Sequence, residues 1–306
     1  MKQDIMIGTW AWGTGYGGAR MIFGKKYDEA SLTAAFHTAV KLGFLKWDTA
    51  AVYGMGSCES LLGRLMKGRE DIFISTKYFP NPRFRSGALE KSFSESMQRL
   101  QRTSADLFWI HKPNNLLKNL KEAIPLMKDG RIRSIGISNV SIEHIKQAEK
   151  LLEKAGLKLG AVQNHFSLLR NDQQPIIDYC NSRGIRYYAY MVLEQGALAG
   201  GYDAKHHFPT FSMRNFAFPK SKFQKIEGLH AMMRNLAEKY QIDRSQIPIL
   251  WAIAKGAVPI VGITKPSYAE KLAAALEVSL TQKEVNLLTA EAKKTGIRQQ
   301  GSWEPQ

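Results

Sequence analysis

The chain has 306 residues, a length that fits either two ordinary domains or one closed α/β barrel. Its 44% hydrophobic and 23% charged residues exclude a disordered tail or a low-complexity fibre, because such a chain can bury a sizeable core. Lys and Arg outnumber Asp and Glu by 43 to 27, and the net charge of +16 raises nucleic acid, an acidic membrane surface or a polyanionic small ligand as partners.

Eight short apolar segments of β type alternate with longer amphipathic segments along the chain. The predicted strands cover residues 5–8, 44–48, 72–77, 107–111, 132–137, 160–164, 186–190 and 258–261. The predicted helices cover residues 28–42, 57–67, 88–100, 117–128, 141–154, 173–183, 222–239 and 267–275, with a further helix at 281–294. Strands that alternate with helices in this way pair in parallel through right-handed crossovers.

Eight such units predict an α/β fold, a (β/α)8 TIM barrel with eight parallel strands, although an open doubly wound sheet has the same local pattern. Residues 78–87 and 200–221 do not fit the repeat, and we interpret them as long loops after the third and seventh strands. The helix at 281–294 is then an extra C-terminal helix. We expect a single domain over residues 1–306.

The cysteine and histidine content argues against structural metal or disulfides. Cys58 and Cys180 are too few for a disulfide framework and lack the paired spacing of zinc or iron–sulfur sites. The adjacent His206 and His207 have no carboxylate or cysteine at ligand spacing, so we expect no metal. No signal peptide and no run of about 18 apolar residues is present, so we expect no membrane span and a cytoplasmic location.

Polar and aromatic side chains stand where the predicted strands end, which is where a barrel carries its chemistry. Asp48, Lys77 and His111 end three consecutive strands, and Tyr53 follows Asp48 by five residues. Each alone has a structural explanation, but together they form a chemical set. A lysine ammonium beside a phenol stabilises the phenolate and lowers its pKa, a carboxylate orients the ammonium, and a histidine can hydrogen-bond a carbonyl oxygen.

With these residues the sequence resembles the aldo-keto reductase superfamily over nearly the whole chain. The matching segments follow the family's order. They are Gly8-Thr9-Trp10, Asp48-Thr49-Ala50 with Tyr53-Gly54, Gly56 to Gly63, Ile74 to Lys77, Asp106 to His111, Gly136 to Asn139, Val162 to Asn164 and Pro259 to Gly262. The resemblance implies a catalytic tetrad of Asp48, Tyr53, Lys77 and His111, with Tyr53 as the general acid. It also implies reversible reduction of aldehyde or ketone carbonyls by hydride from a nicotinamide cofactor.

The resemblance further implies which residues hold the cofactor. Ser138, Asn139 and Gln163 match the groups that bind the carboxamide, and Tyr190 matches the aromatic that stacks on the nicotinamide. The full expected set is Gly8, Thr9, Trp10, Ser138, Asn139, Gln163, Tyr190, Leu193, Gln195, Gly196, Leu198, Gly262, Thr264, Lys265, Tyr268 and Lys271. For the substrate we expect partly aromatic walls that include Trp10, Trp12, Tyr78 and Trp109.

The sequence departs from the family pattern at the cofactor and substrate segments. Tyr268 and Lys271-Leu272 replace the usual Arg or Gln and the Glu-Asn of the adenosine segment, and Lys112 replaces a frequent Trp. Lys265 remains able to pair with a 2′-phosphate, so we favour NADP(H) over NAD(H). The expected partner is a small-molecule carbonyl or alcohol, and the oligomeric state is unreadable.

Three other interpretations stay open. The same barrel could serve as a cofactor-sensing or scaffold subunit with little turnover. Nucleic-acid binding is suggested by the charge, but the positive residues between Lys118 and Arg133 are scattered among apolar ones at helical spacing, so we expect no specific nucleic acid. Glycines 13, 15 and 18 match a dinucleotide-binding pattern, but the first predicted helix begins only near Asp28, so we expect a loop beside the substrate instead.

Overall fold

Eight parallel strands close into a barrel in which each strand pairs with the next along the chain and the eighth pairs with the first. The structure is a computed structural model that describes residues 4–16, 18–24, 27–209 and 212–300. The strands are β1 Met6–Gly8, β2 Lys46–Asp48, β3 Phe73–Tyr78, β4 Leu107–Ile110, β5 Ile135–Ser138, β6 Leu159–His165, β7 Arg186–Tyr190 and β8 Val258–Gly262. The predicted (β/α)8 TIM barrel is therefore confirmed, and the open sheet is excluded.

Helices surround the barrel and connect its strands. They are α1 Ala19–Phe23, α2 Glu29–Lys41, α3 Ser57–Leu65, α4 Ala88–Leu100, α5 Leu116–Lys128, α6 Ile142–Glu153, α7 Gln174–Ser182, α8 Met213–Ala217, α9 Lys220–Lys225, α10 Glu227–Tyr240, α11 Ile247–Ala254, α12 Pro266–Ala275 and α13 Gln282–Lys294. The extra C-terminal helix is α13. None of the helices in the described ranges is long and apolar enough to span a bilayer.

Local sequence explains where the helices begin and which face they bury. Asp28 caps α2, because its carboxylate accepts a hydrogen bond from the backbone N–H of Ser31 at 2.8 Å. Thr281 and Glu284 form a reciprocal capping box at the start of α13. On α2, the residues buried against the barrel recur at helical spacing, which confirms the predicted amphipathic helix. They are Leu32, Ala35, Phe36, Ala39 and Val40.

The helices differ from the sequence prediction at four places. Helix α8 lies inside the segment 200–221, which was predicted as a loop. The helix predicted at 222–239 is two helices, α9 and α10, which are divided near Ile226. Helix α11 was not predicted, because six of its eight residues are buried and it shows no polar face to mark the helical period. The short helix α1 begins directly after Gly18, so the expectation that no helix precedes Asp28 was wrong.

The glycines of the first loop serve close backbone packing. A Cβ on Gly13 would lie 2.9 Å from the backbone nitrogen of Gly54, and one on Gly18 would lie 2.5 Å from the carbonyl oxygen of Gly13. Gly54 itself has a φ of 55° and follows Tyr53 directly. The glycine-rich loop therefore packs against the turn that carries Tyr53.

The barrel interior and the layer outside it have separate cores. Met6, Leu107, Trp109, Ala161 and Tyr188 fill the barrel and are at most 2% exposed. A larger apolar layer lies between the strands and the helices. With the barrel filled by side chains, space for a ligand is left at the carboxyl ends of the strands.

Candidate active site

A cavity of about 890 Å³ opens at the carboxyl ends of the strands, a volume within the range of small-molecule sites. It has two parts. The first, the tetrad end, is lined by Asp48, Tyr53 and His111. The fourth predicted residue, Lys77, does not line the cavity but is buried in contact with Asp48. The second, the loop end, is lined from three segments, residues 191–202, 243–246 and 262–272.

Lys77 and Asp48 form a buried ion pair at the tetrad end, and each is about 2% exposed. The Lys77 ammonium also donates to the carbonyl oxygen of Thr49 at 2.9 Å, and Ser75 Oγ donates to Asp48 Oδ1 at 2.6 Å. The parallel register sets Asp48 opposite Ser75 on the neighbouring strand. Burial lowers the pKa of Lys77 from its usual value, while the Asp48 carboxylate opposes that shift.

Tyr53 lies in the short 3-10 helix Tyr53–Gly56 that follows β2, and it lines the cavity. The Lys77 ammonium is 5.3 Å from the centre of its ring, and the Trp10 ring stacks on it at 6.2 Å. Burial raises the pKa of Tyr53 well above its usual value, and the Asp48 charge adds to that rise. The net shift is therefore opposite to the one expected from Lys77, because burial and the Asp48 charge dominate it. The phenol keeps its proton at neutral pH.

His111 follows β4 and also lines the cavity. Burial lowers the pKa of its imidazole to about 3, and the nearby charges of Lys77 and Lys112 act in the same direction. Its Nδ1 atom has no hydrogen-bond partner among the described residues. The ring is therefore neutral at physiological pH.

Gln163 and Tyr190 line the cavity between the two ends. Gln163 is 1% exposed, yet its Nε2 has no hydrogen-bond partner within the described part of the chain. The Tyr190 hydroxyl donates to Asn139 Oδ1 at 2.6 Å, and Asn139 Nδ2 donates to the carbonyl oxygen of His111 at 2.9 Å. A buried amide without a partner is costly, which makes Gln163 a candidate donor to a ligand in the cavity.

At the loop end, the segment after β7 has an unusual backbone. Met191, Glu194, Gln195 and Gly196 have φ values of 61°, 47°, 54° and 103°. The buried Glu194 carboxylate accepts hydrogen bonds from Ser167 Oγ and, at 2.8 Å, from His165 Nε2. Left-handed φ values disfavour residues other than glycine, so this anchor helps hold the segment in place.

Two arginines that the sequence reasoning missed also line the cavity. Arg214 on α8 donates to the carbonyl oxygens of Phe23 at 2.9 Å and Gln195 at 3.3 Å, which joins α1 to the segment after β7. Arg244 packs so closely on Gly200 that a Cβ there would lie 2.6 Å from its Nε. Arg244 lies three residues before α11, a helix that the sequence did not predict, so no signal in the sequence placed Arg244 at the cavity.

Lys271 and Lys265 are the two lysines of the loop end, and they differ in their contacts. Lys271 lines the cavity, and its ammonium is paired with Asp243 at 2.6 Å. Partial burial alone would raise the pKa of Asp243, but hydrogen bonds from Lys271 and Ser245 lower it. Lys265 is exposed and is not among the residues that line the cavity.

The structure brings most of the predicted cofactor residues to the cavity: Gly8, Trp10, Gln163, Tyr190, Leu193, Gln195, Gly196, Gly262, Thr264, Tyr268 and Lys271. It does not place Thr9, Ser138, Asn139, Leu198 or Lys265 on the cavity surface. Thr9 and Leu198 are fully buried, and Thr9 Oγ1 donates to the carbonyl oxygen of Asp48 at 3.1 Å. Thr9 and Leu198 therefore lie behind the wall of the cavity, whereas Lys265 is exposed away from it.

Three of the four predicted substrate residues are core residues. Trp12 is 2% exposed, and its indole N–H donates to the carbonyl oxygen of Ile263 at 2.8 Å. Trp109 lies inside the barrel against Tyr188, with ring centres 5.5 Å apart. Tyr78 is 7% exposed and packs in the outer core. Of the four, Trp10 alone lines the cavity, together with Phe23, Tyr27 and Phe79.

Comparison with known proteins gives the same family over the whole barrel. The family model described as "Aldo/keto reductase family" matches residues 4–292. The chloroplastic pyridoxal reductase of Arabidopsis thaliana is 29% identical, with 94% of this chain and 83% of that protein covered. The Schizosaccharomyces pombe aldo-keto reductase yakc, whose name includes NADP(+), is 28% identical, with 94% of this chain and 90% of that protein covered.

Solved structures share the architecture at lower sequence identity. A glycerol dehydrogenase from Gluconobacter oxydans superposes with a TM-score of 0.81 at 22% identity, and 99% of this chain and 95% of that chain are covered. This likeness supports the barrel, while the family model also covers the strand ends that carry the tetrad. The chain belongs to the aldo/keto reductase family.

Proposed function

We propose that the protein is an NADP(H)-dependent oxidoreductase that reduces aldehyde or ketone carbonyls to alcohols, reversibly, with Tyr53 as the general acid. The observation that carries this proposal is the buried Lys77–Asp48 pair beneath a protonated Tyr53, beside a neutral His111 that opens onto the same cavity. Few other reactions require this set of groups together at one ligand site.

Each tetrad residue has a separate task. Tyr53 donates its proton to the carbonyl oxygen as negative charge develops there. Lys77 places a positive charge 5.3 Å from the Tyr53 ring, which stabilises the phenolate left after proton transfer. Asp48 holds Lys77 in place, and neutral His111 orients the carbonyl by a hydrogen bond. A bound nicotinamide supplies the hydride to the carbonyl carbon.

The residues between the two ends fit such a cofactor. The unpartnered Gln163 Nε2 would donate to the oxygen of a carboxamide, and the Tyr190 ring, fixed by Asn139, would lie against a planar ring. At the loop end Asp243 is neutralised by Lys271, which leaves the positive charge of Arg244 for a phosphate. We therefore favour NADP(H) and assign the 2′-phosphate to Arg244 in place of Lys265.

The direct test follows NADPH oxidation with a panel of aldehydes and ketones, including pyridoxal, for the wild type and Tyr53→Phe. We expect Tyr53→Phe to lower kcat by about 10²- to 10⁴-fold, as for loss of a general acid. NADPH affinity, measured by fluorescence titration, should stay nearly the same. Unchanged turnover in the variant would overturn the role of Tyr53. Tight NADPH binding with no turnover of any carbonyl would instead favour a cofactor-sensing or scaffold subunit.

A further inference from the structure

Lys112 stands next to the reacting groups, at a position that the catalytic tetrad does not use. It follows His111 directly, and its ammonium lies 4.8 Å from the centre of the Phe79 ring. Phe79 lines the cavity, is 39% exposed, and has its ring centre 5.8 Å from that of His111. Lys112 itself does not line the cavity, but its charge lies against Phe79 and directly after His111, both of which do.

No carboxylate among the described residues forms an ion pair with Lys112, whose ammonium instead lies against the Phe79 ring. Lys77, in contrast, is neutralised by Asp48. The Lys112 charge also reaches the reacting centre, because it is one of the charges that hold the pKa of His111 down. Most of its electrostatic attraction is thus left for a ligand.

The segment around Lys112 is positively charged and held in place. Residues 79–87 contain Arg83 and Arg85 but no Asp or Glu. Asn115 Nδ2 donates to the carbonyl oxygen of Pro82 at 3.1 Å, which ties this segment to the one that carries Lys112. The nearby Glu122 is engaged with the backbone N–H of Gly87 at 2.7 Å. An anion that enters beside Phe79 therefore meets positive charge on two adjoining loops.

We propose that Lys112 selects carbonyl substrates that bear a carboxylate, and that the preferred class is an aromatic aldehyde with a carboxylate on its ring. This inference rests on the proposed carbonyl reductase activity. The ring is accommodated by the aromatic wall of Trp10, Phe23 and Phe79, and the carboxylate pairs with the ammonium of Lys112.

The test compares 4-carboxybenzaldehyde with its methyl ester, which has a similar shape and no charge. The variants are Lys112→Met, Lys112→Arg and a matched control, Lys118→Met. Lys118 is exposed, and its ammonium lies 5.3 Å from the centre of the Phe84 ring. The control therefore removes the same charge and the same type of ring contact, but the ring it contacts, Phe84, does not line the cavity, whereas Phe79 does.

We expect the wild type to prefer the acid, and Lys112→Met to lower kcat/KM for the acid by about tenfold relative to the ester. Lys112→Arg should keep the preference, and Lys118→Met should not alter it. Added salt should weaken turnover of the acid more than that of the ester. No preference in the wild type, or equal losses for acid and ester in Lys112→Met, would overturn the inference.

Binding provides a readout that does not depend on turnover. The affinity of the acid and of the ester for the NADPH-loaded protein can be followed by tryptophan fluorescence, because Trp10 lines the cavity. A selective loss of acid binding in Lys112→Met supports the role of Lys112 even if neither aldehyde is reduced, in which case the proposed activity alone fails. Equal affinities of acid and ester in the wild type would refute the selection of anions.

Discussion

The tetrad end of the cavity is carried by three consecutive strands, whereas the loop end is assembled from segments that lie far apart in the sequence. Asp48, Lys77 and His111 lie at or just after the ends of β2, β3 and β4, where the sheet register sets their relative positions. The loop end uses the segment after β7, the turn at 243–246 and the start of α12. A strand end holds a side chain by the hydrogen bonds of the sheet, while a loop must be held by its own contacts.

The anchors of the two ends reflect this difference. At the tetrad end the buried charge pair of Lys77 and Asp48 sits on regular strands. At the loop end the buried Glu194 holds a segment with left-handed backbone through His165 and Ser167. The same kind of group, a buried carboxylate, therefore pairs with a lysine at one end and helps to hold the backbone at the other.

The largest expected effect comes from Lys77→Met, which leaves the buried Asp48 charge without a partner. We expect the free energy of unfolding to fall by about 3–5 kcal/mol, with loss of carbonyl reduction, as measured by urea unfolding and NADPH oxidation. Lys294→Met is the matched control, since Lys294 pairs with Glu291 at 2.8 Å but its side chain is 73% exposed. That control should cost at most about 1 kcal/mol. Equal costs for the two variants would contradict the role of burial.

Glu194→Ala should act on the loop end. We expect the free energy of unfolding to fall by about 1–3 kcal/mol, because His165 and Ser167 lose their acceptor. NADPH affinity should fall with it, since Gln195 and Gly196 line the cavity. Glu70→Ala, at a carboxylate that is 88% exposed, controls for the lost charge. Weaker NADPH binding with normal turnover at saturating NADPH is the expected pattern, and a defect in turnover alone would argue against a backbone anchor.

Arg244→Met tests which cation of the loop end binds the 2′-phosphate of the cofactor. We expect its NADPH affinity to fall by about tenfold with little change for NADH, because a charge-assisted contact to the 2′-phosphate is lost. Lys265→Met should change neither affinity appreciably, since Lys265 is exposed and does not line the cavity. Titrations of both variants with NADPH and NADH measure these effects. A larger loss of NADPH affinity in Lys265→Met than in Arg244→Met would assign the 2′-phosphate to Lys265.

The smallest effect is a pH dependence of stability to which each end contributes one histidine. Burial lowers the pKa of His111 to about 3 and that of His230, which bonds the carbonyl oxygen of Ala197, to about 4. The unfolded chain takes up protons on both below about pH 6.5, where the folded protein does not, so stability falls as the pH is lowered from there. Below about pH 4.5 Glu284, whose folded pKa is about 2, adds a loss of the same sign.

Urea unfolding between about pH 7 and pH 5 measures this dependence above the range of Glu284. His111→Gln and His230→Gln should each reduce the slope of stability against pH, which separates the contribution of the tetrad end from that of the loop end. A slope that neither substitution alters would show that other groups govern it.

The regular parts of the fold were predictable because their signals are local. Strand and helix periods, together with residues such as Asp48, Lys77 and His111 at the strand ends, led to the barrel and to its candidate tetrad. Helix α11 was not predicted, because its residues are apolar on nearly every side and resemble an extension of the next strand. Because α11 was not predicted, Arg244, which lies just before it, was not predicted as a cavity residue either.

Aromatic residues near strand ends were not predictable in the same way. Trp10 and Trp12 are two residues apart, yet one lines the cavity and the other is buried under Ile263. Trp109 points into the barrel, where it packs on Tyr188. Core and cavity surfaces both favour aromatic side chains, so composition does not tell them apart.

By itself the sequence determined the order of the strands, the residues at their ends and the family to which the chain is similar, since these depend on neighbours along the chain. Tertiary structure decided the charge states and the boundaries of the cavity. Burial and the Asp48 charge raise the pKa of Tyr53. Among the described residues Lys271 forms an ion pair with Asp243, while Arg244, which also lines the cavity, forms none. Desolvation and pairing depend on which distant segments meet, and closure of the barrel sets those contacts.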